Sequence, residues 1–303
     1  MSGWQRFWDS DVAWSWRHSP VAVLATVVLV VLVVGSFGAS VIAPHNPFDL
    51  ATLNLLDALK PPVWEPDGDP TYFLGTDSQG RDLLSAIMYG MQVSLMIGLA
   101  SVFLSVFLGV ALGLLAGYLG GRTDAYIMRV ADVQLSFPAI LIALLIDGVA
   151  RAVVPNDLHE VIAFPVLVFA ISLAGWPQYA RTVRGSTMVE KNREYVQAAR
   201  VIGISSPVIM FRHVLPNVLG PVLVLATVHL ATAIITEATL SFLGVGVPPT
   251  SPSLGTLIRI GNDFLFSGEW WITIFPGMAL VLLVLSVNLL GDWMRDALNP
   301  RLN

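Results

Sequence analysis

The chain has 303 residues, of which 55% are hydrophobic and only 12% are charged, and its mean hydropathy is +0.73. A soluble globular chain carries roughly one-quarter charged residues, so we expect most of this chain to lie in lipid. The net charge of -5, with two lysines and no dense basic run, argues against a nucleic-acid partner, and the absence of cysteine excludes disulfides, thiolate metal sites and cysteine nucleophiles.

The N-terminal segment 1–18 has large apolar side chains at helical spacing, namely Trp4, Phe7, Trp8 and Val12. This pattern favours a helix lying in the membrane interface; the alternative is a frayed tail. The apolar stretch that follows, at 19–43, is longer than the roughly 7 to 15 apolar residues of a signal-peptide core. We therefore interpret it as a retained signal anchor and the first transmembrane helix.

Six stretches are long enough to cross a membrane as helices, which takes roughly twenty apolar residues. They begin near Val21, Gln92, Val130, Val161, Val218 and Ile272. The third has acidic residues near its ends and Pro138 inside, so its limits are poorly defined. The sequence thus predicts an all-α membrane protein with one N-terminal helix and a five-helix core at 92–291.

Basic residues indicate the orientation, because Lys and Arg are retained on the cytoplasmic side. If the N-terminus is inside, the external segments hold only four of the sixteen basic residues, namely Lys60, Arg81, Arg151 and Arg259. An odd number of spans would destroy this asymmetry. Both termini, including the tail 292–303, are therefore predicted to be cytoplasmic.

Two external segments are long enough to have a role of their own. The first, 44–91, is rich in acidic residues and in turn-forming proline, so it either attracts cationic solutes or is a solvated loop, and we expect the loop. The last, 241–271, contains Pro248, Pro249 and Pro252, which lower the entropy cost of a fixed shape. It is expected to meet a binding protein or to close the pathway; the alternative is an ordinary connector.

Small residues and prolines inside the spans indicate how the helices meet. Gly109, Gly113 and Gly117 lie four apart on the second span, a pattern for close helix contact within this subunit or between subunits. Prolines free backbone carbonyls, which suits helices that line a cavity. They interrupt the last four spans at Pro138, Pro165, Pro177, Pro221 and Pro276.

Polar side chains within spans tend to face the bundle interior. This singles out His229 and Glu237 on the fifth span and Asn288 on the sixth. His229 and Glu237 are eight residues apart and share one helix face. We predict that these residues line a pathway; the alternative is a polar set satisfied within the bundle.

The motifs of common catalytic sites are missing from the sequence. Neither lysine follows a glycine and precedes Ser or Thr, as a phosphate-binding loop requires, so this chain is not expected to hydrolyse ATP. The histidines do not form the paired ligands of a zincin, and Gly-x-Ser-x-Gly is absent. These absences disfavour a membrane-embedded enzyme. A channel or secondary carrier is also disfavoured, because no internal repeat is evident.

The longest cytoplasmic segment, 178–217, holds six of the sixteen basic residues and no apolar stretch long enough to span. Residues Glu194 to Gly203 are predicted to form a helix, ended by a glycine suited to a left-handed cap. Its small and apolar residues gather on one face, namely Tyr195, Ala198, Ala199 and Ile202. Spacing leaves two interpretations open: a helix packed under its own bundle, or a helix presented to a soluble partner.

The order Gln197-Ala198-Ala199, three residues, Gly203 and later Leu215-Pro216 resembles the EAA loop of ABC importer permeases. Four other stretches are similar to the C-type subunit of the dipeptide/oligopeptide branch of that family, namely 74–82, 117–138, 240–249 and 291–301. The resemblance covers nearly the whole chain in order. It favours the interpretation in which the helix is presented to a partner.

The resemblance implies a type I importer permease fold in the bacterial inner membrane and a role in importing di- or oligopeptides, with glutathione, nickel chelates and opine-like compounds as open alternatives. It implies three kinds of partner: a second homologous permease in a heterodimer, two ATPases that hold ATP and Mg²⁺, and a periplasmic or extracellular solute-binding protein. No cofactor is expected on this chain, which is not an enzyme by itself. The coupling residues it implies are Glu194, Tyr195, Gln197, Ala198, Ala199, Arg200, Ile202, Gly203, Leu215 and Pro216.

Overall fold

The computed structural model describes residues 11–49 and 53–297, whose regular structure is helical apart from one antiparallel bridge between Thr76 and Asp82. The helices are α1 (Asp11–His18), α2 (Pro20–Phe37), α3 (Ala39–Ile42), α4 (Leu83–Leu119), α5 (Gly121–Leu135), α6 (Ala139–Val153), α7 (His159–Glu190), α8 (Glu194–Val201), α9 (Ser206–Val208), α10 (Leu215–Phe242), α11 (Leu254–Asn262) and α12 (Trp271–Ala297). The predictions for Trp4, Phe7 and Trp8, and for the tail beyond 297, lie outside the described residues.

Within the described residues, five helices are long and apolar enough to cross a membrane: α2, α4, the stretch Asn156–Glu190 that contains α7, the continuous helix Ser206–Phe242, and α12. They correspond to five of the six predicted spans. The third predicted span is instead divided into α5 and α6, which are bent by 91° relative to each other. Pro138 explains the break, because it disfavours helical geometry in the residue before it and offers no backbone N–H.

Helix α4 begins nine residues before the predicted start of the second span. The side chain of Asp82 caps it by accepting the backbone N–H of Ser85 at 3.0 Å. Its 37 residues give a length of about 55 Å, whereas the hydrocarbon core of a bilayer is about 30 Å thick. The end of segment 44–91 is therefore helical, and α4 projects beyond the hydrocarbon.

The close contact between α4 and α7 explains the three glycines four residues apart. A Cβ atom on Gly109 would lie 2.3 Å from Tyr179 Cβ, and one on Gly113 would lie 2.5 Å from the carbonyl oxygen of Ala180. Gly117 faces Thr187 in the same way. These glycines therefore serve packing within this subunit, which decides between the two alternatives left open by the spacing.

The first predicted external segment is a solvated loop only in part, because residues 53–74 are mostly exposed or half-buried whereas the stretch that follows is buried. Thr76, Asp77, Arg81 and Asp82 are buried, and Arg81 Nε lies 2.7 Å from Asp77 Oδ2. The indole N–H of Trp271 donates to the carbonyl of Thr76 at 3.1 Å, which joins this turn to the start of α12. The acidic side chains here are used as structural partners, which the sequence pattern alone did not reveal.

A second group of charges stabilises the same segment closer to its start. The ammonium group of Lys60 lies 2.6 Å from Asp57 and 2.7 Å from Asp69. Hydrogen bonding to Lys60 is the main reason why the pKa of both carboxyl groups is lowered. This arrangement links the turn at Asp57 to the turn at Asp69.

The segment 241–271 contains α11, which the sequence analysis missed. Leu254 and Leu257 of α11 are buried in the same apolar cluster as Leu83 and Ile272. Gly255 lies directly against the backbone of α10, since a Cβ there would be 2.3 Å from the carbonyl oxygen of Ala238. The nine residues of α11 thus pack against the helix bundle instead of forming part of a loop.

Candidate functional site

The predicted partner-facing helix is present as α8, and its end has the geometry that the sequence indicated. Gly203 has φ +80°, the left-handed conformation that glycine adopts without strain. The N–H of Gly203 bonds to the carbonyl of Arg200 and that of Ile204 to the carbonyl of Ala199, both at 3.0 Å. This is a Schellman cap, and it ends α8 sharply.

Helix α8 has one packed face and one exposed face. Val196 and Ala199 are buried in an apolar cluster with Val183 and Val214. The exposed face includes Ala198 together with two large apolar side chains, Val201 at 87% and Ile202 at 75% exposure. The predicted face is therefore corrected: Ala199 belongs to the packed side, and Val201 takes its place on the exposed side.

Glu194, Gln197 and Arg200 are exposed polar residues of the same helix. The guanidinium of Arg200 lies 5.4 Å from the ring centre of Tyr118, near the end of α4. Lys191, just before α8, donates to the carbonyl of Gly117 at 2.6 Å. Both basic groups thus join this loop to the last turn of α4, where backbone carbonyls lack helical partners.

Tyr195 sits at the junction of three segments. Its hydroxyl donates to Glu190 Oε1 at the end of α7, at 2.6 Å, and accepts from Asn217 Nδ2 in the first turn of α10, at 3.0 Å. The carbonyl of His213 lies 3.3 Å from the same hydroxyl. Partial burial and the bond to Glu190 raise the pKa of Tyr195, so the hydroxyl stays protonated and remains a donor.

The Leu215-Pro216 pair follows a π-helical turn, Ile209–Val214. The N–H of Leu215 bonds to the carbonyl of Met210, five residues back. Pro216 has no N–H and would crowd the carbonyl four residues earlier in an α-helix, so the wider turn accommodates it. Leu215 is half-buried and Pro216 is exposed at the start of α10.

The predicted pathway residues are placed differently from expectation. Glu237 is fully buried, and Ser94 Oγ and Ser241 Oγ donate to its carboxylate at 2.7 Å each. This is the alternative arrangement, a polar group satisfied within the bundle, so Glu237 lines no open surface in this conformation.

His229 faces α7. Its Nδ1 is 3.0 Å from the hydroxyl of Tyr179 and its ring closely approaches Gly175, although the residue is only half-buried. Asn288 on α12 is half-buried.

The three loop prolines also differ from one another. Pro249 is exposed, Pro248 is half-buried, and Pro252 is buried next to Gly90 on α4. The carbonyl of Pro249 accepts from Arg81 at 3.3 Å, so the two predicted external segments meet here. Of the three, Pro249 has the exposure that a contact with a binding protein requires.

One polar residue with a clear physical role was missed. Pro177 leaves the carbonyl of Leu173 without its helical partner. The side-chain amide of Gln134, the last residue but one of α5, donates to that carbonyl, and its oxygen accepts from Trp176 Nε1 at 2.8 Å. The freed carbonyl was the signal in the sequence, but its donor could not be located without the fold.

The structure is a multi-helix membrane bundle whose longest basic loop contains a sharply capped helix with exposed apolar side chains, an arrangement that suits a transport subunit with a soluble partner. Residues 109–303 match the model of the binding-protein-dependent transport system inner membrane component, and residues 2–62 match the N-terminal TM domain of oligopeptide transport permease C. The chain therefore belongs to the family of binding-protein-dependent transport system inner membrane components. It is a multi-pass protein of the bacterial inner membrane and a transport subunit rather than an enzyme.

Curated relatives are similar along almost the whole chain. The dipeptide transport system permease protein DppC of Escherichia coli K12 is 40% identical over 303 residues, covering 100% of this chain and 94% of the relative. The di/tripeptide transport system permease protein DppC of Pseudomonas aeruginosa UCBPP-PA14 is 37% identical, covering 98% and 92%. Among solved structures, an inward-facing MetNI methionine ABC transporter chain has a TM-score of 0.55 at 19% identity, covering 71% of this chain and 96% of that one. That likeness concerns the fold alone.

Proposed function

We propose that this chain forms half of the translocation pathway of an ATP-driven importer for di- or oligopeptides. The names of the relatives that match along nearly the whole chain support the choice of solute. The partners would be a second homologous permease, two ATPases that bind ATP and Mg²⁺, and an external solute-binding protein, all acting in lipid. This chain would bind no cofactor itself, and its termini would be cytoplasmic.

The observation that carries the coupling role is the exposed apolar face of α8. Val201 and Ile202 remain largely exposed although the cap at Gly203 and the packed face hold the helix in a fixed position. An exposed apolar patch on a short, anchored helix is suited to a hydrophobic groove on another protein. Helix α8 would thus be the element that docks into an ATPase.

The docking role is tested by placing a charge on the exposed face. Ile202→Asp should abolish copurification of the ATPases while the permease still inserts and elutes as a folded species, because a carboxylate buried in an apolar groove is strongly unfavourable. Phe266→Asp is the matched control, since Phe266 is 96% exposed in the turn between α11 and α12, away from α8. Ala199 is unsuitable for this test because it is buried in the subunit itself. Copurification that survives Ile202→Asp would contradict the assignment.

The solute is tested separately, with the permease pair, the ATPases and the binding protein reconstituted in vesicles. We expect a dipeptide to stimulate ATP hydrolysis and to accumulate inside. Longer peptides, glutathione, nickel chelates and an opine are the comparison solutes. Stimulation by one of the last three, with none by any peptide, would reject peptide import and leave the docking assignment untouched.

A further inference from the structure

The hydroxyl of Tyr195 connects the exposed helix to two long helices at once. It donates to Glu190, the last residue of α7, and accepts from Asn217 in the first turn of α10. Asn217 also donates to the carbonyl of His213 at 2.7 Å, which fixes the orientation of its amide. One oxygen atom therefore joins α8 to the ends of α7 and α10.

The remaining contacts of α8 with these two helices are of a different kind. Val196 and Ala199 pack in an apolar cluster, and such contacts are non-directional and permit small sliding movements. The bonds at Tyr195 are directional, and the acceptor on α7 is a carboxylate, which makes that bond the stronger type. The bonds at Tyr195 therefore specify the register of α8 against α7 and α10, which non-directional apolar contacts do not specify by themselves.

The two helices that meet at Tyr195 also enclose the polar interior of the bundle. Helix α7 carries Tyr179 and helix α10 carries His229, which face each other at 3.0 Å, and α7 packs along the glycines of α4. Movement of their ends would therefore reach the centre of the bundle through continuous helices rather than through loops.

We propose that Tyr195 is a positioning residue for coupling: its hydroxyl holds α8 in register with α7 and α10, so that movement imposed on α8 by an ATPase reaches both helices. This inference rests on the proposed docking role of α8. In this proposal the ring of Tyr195 packs, and its hydroxyl transmits the movement of α8 to α7 and α10. Removal of the hydroxyl alone should then separate ATP hydrolysis from transport.

The test uses the complete complex in lipid vesicles, with the dipeptide Ala-Ala as the transported probe. Tyr195→Phe should leave copurification of the ATPases intact and should lower the number of dipeptides imported per ATP hydrolysed several-fold. Hydrogen exchange of the amides at 194–204 should become about tenfold faster, which corresponds to about 1.4 kcal/mol at 25 °C. Tyr126→Phe is the matched control, because Tyr126 is 73% exposed and its hydroxyl makes no hydrogen bond within the described residues.

Substitutions of the acceptor provide the second arm. Glu190→Gln keeps an oxygen acceptor and should retain a transport ratio near that of the wild type, whereas Glu190→Ala removes the bond to α7 alone and should show part of the loss seen with Tyr195→Phe. The combination of Glu190→Ala with Tyr195→Phe should be no worse than Tyr195→Phe alone, because the phenylalanine variant already lacks the bond to Glu190.

Unchanged exchange and an unchanged transport ratio in Tyr195→Phe would overturn the proposal. Loss of ATPase copurification in this variant would also overturn it, since Tyr195 would then be a partner contact. A wild-type complex that imports no dipeptide would reject the peptide assignment instead, and the exchange comparison would still decide the role of Tyr195.

Discussion

A methyl group added at Gly113 tests the α4–α7 contact, where the two helices pack closely in the bundle core. An ideal Cβ at this position would lie 2.5 Å from the carbonyl oxygen of Ala180 and 2.9 Å from Val183 Cβ. The helices would have to separate, and overpacking of this kind typically costs about 1–3 kcal/mol. Gly113→Ala also gains about 1 kcal/mol from the higher helix propensity of alanine. Its stability must therefore be compared with that of another Gly→Ala variant, at a helix position where the added methyl group meets no neighbour.

Gly185 is that reference, because it lies on α7 with nothing within 4 Å of its ideal Cβ position. The full chain, purified in detergent, is heated, and the fraction that still elutes as a folded species gives the melting temperature. We expect Gly185→Ala to match or exceed the wild type, and Gly113→Ala to be less stable than Gly185→Ala by about 1–3 kcal/mol. Equal melting temperatures for the two variants would refute the packing argument.

Two further results are expected. Gln134→Leu should destabilise the chain by about 1–3 kcal/mol, because the carbonyl of Leu173 loses its donor in the bundle. The penalty should be smaller in a Pro177→Ala background, because alanine restores a backbone N–H at position 177. If thermal melts showed additive penalties for the two substitutions, the pairing of Gln134 with this carbonyl would be contradicted. Lys60 lowers the pKa of Asp69 in the folded protein. The stability that this ion pair gives to the external segment is therefore fully present above the unfolded-state pKa of about 3.9, and it is lost as the pH falls through the lowered folded-state pKa. Pepsin cleavage within 53–82 should therefore increase on acidification in the wild type and vary less with pH in Lys60→Met, and identical profiles would contradict the assignment.

The sequence was sufficient for the features that depend on apolar length. Five spans were predicted near their observed positions because a run of about twenty apolar residues has few alternatives to a membrane helix. The left-handed cap at Gly203 was also predictable, since it depends on one residue and its immediate neighbours. The resemblance of the loop to a known family then indicated which interpretation of that helix to prefer.

Features that depend on distant partners were not predictable. Glu237 looked like a pathway residue, but its environment is decided by Ser94, which is 143 positions away along the chain. Helix α11 is only nine residues long, and its burial follows from contacts with α4, α10 and α12 that no local pattern encodes. The break at Pro138 was ambiguous for a related reason, because a proline in a span either kinks or ends the helix according to its surroundings.

Helix α4 runs without interruption from the cap at Asp82 to Leu119. In the final turn of α4, the carbonyl of Gly117 accepts a hydrogen bond from the side chain of Lys191. Its first turn follows the buried Asp77–Arg81 pair, from which Arg81 reaches the loop at Pro249. The backbone hydrogen bonds of α4 resist stretching of the helix. A tilt or axial shift of one end of α4 should therefore move the other end at the same time. We therefore expect movement at the proposed docking helix α8, next to Lys191, and movement at the loop around Pro249 to be parts of one displacement of α4 rather than successive signals.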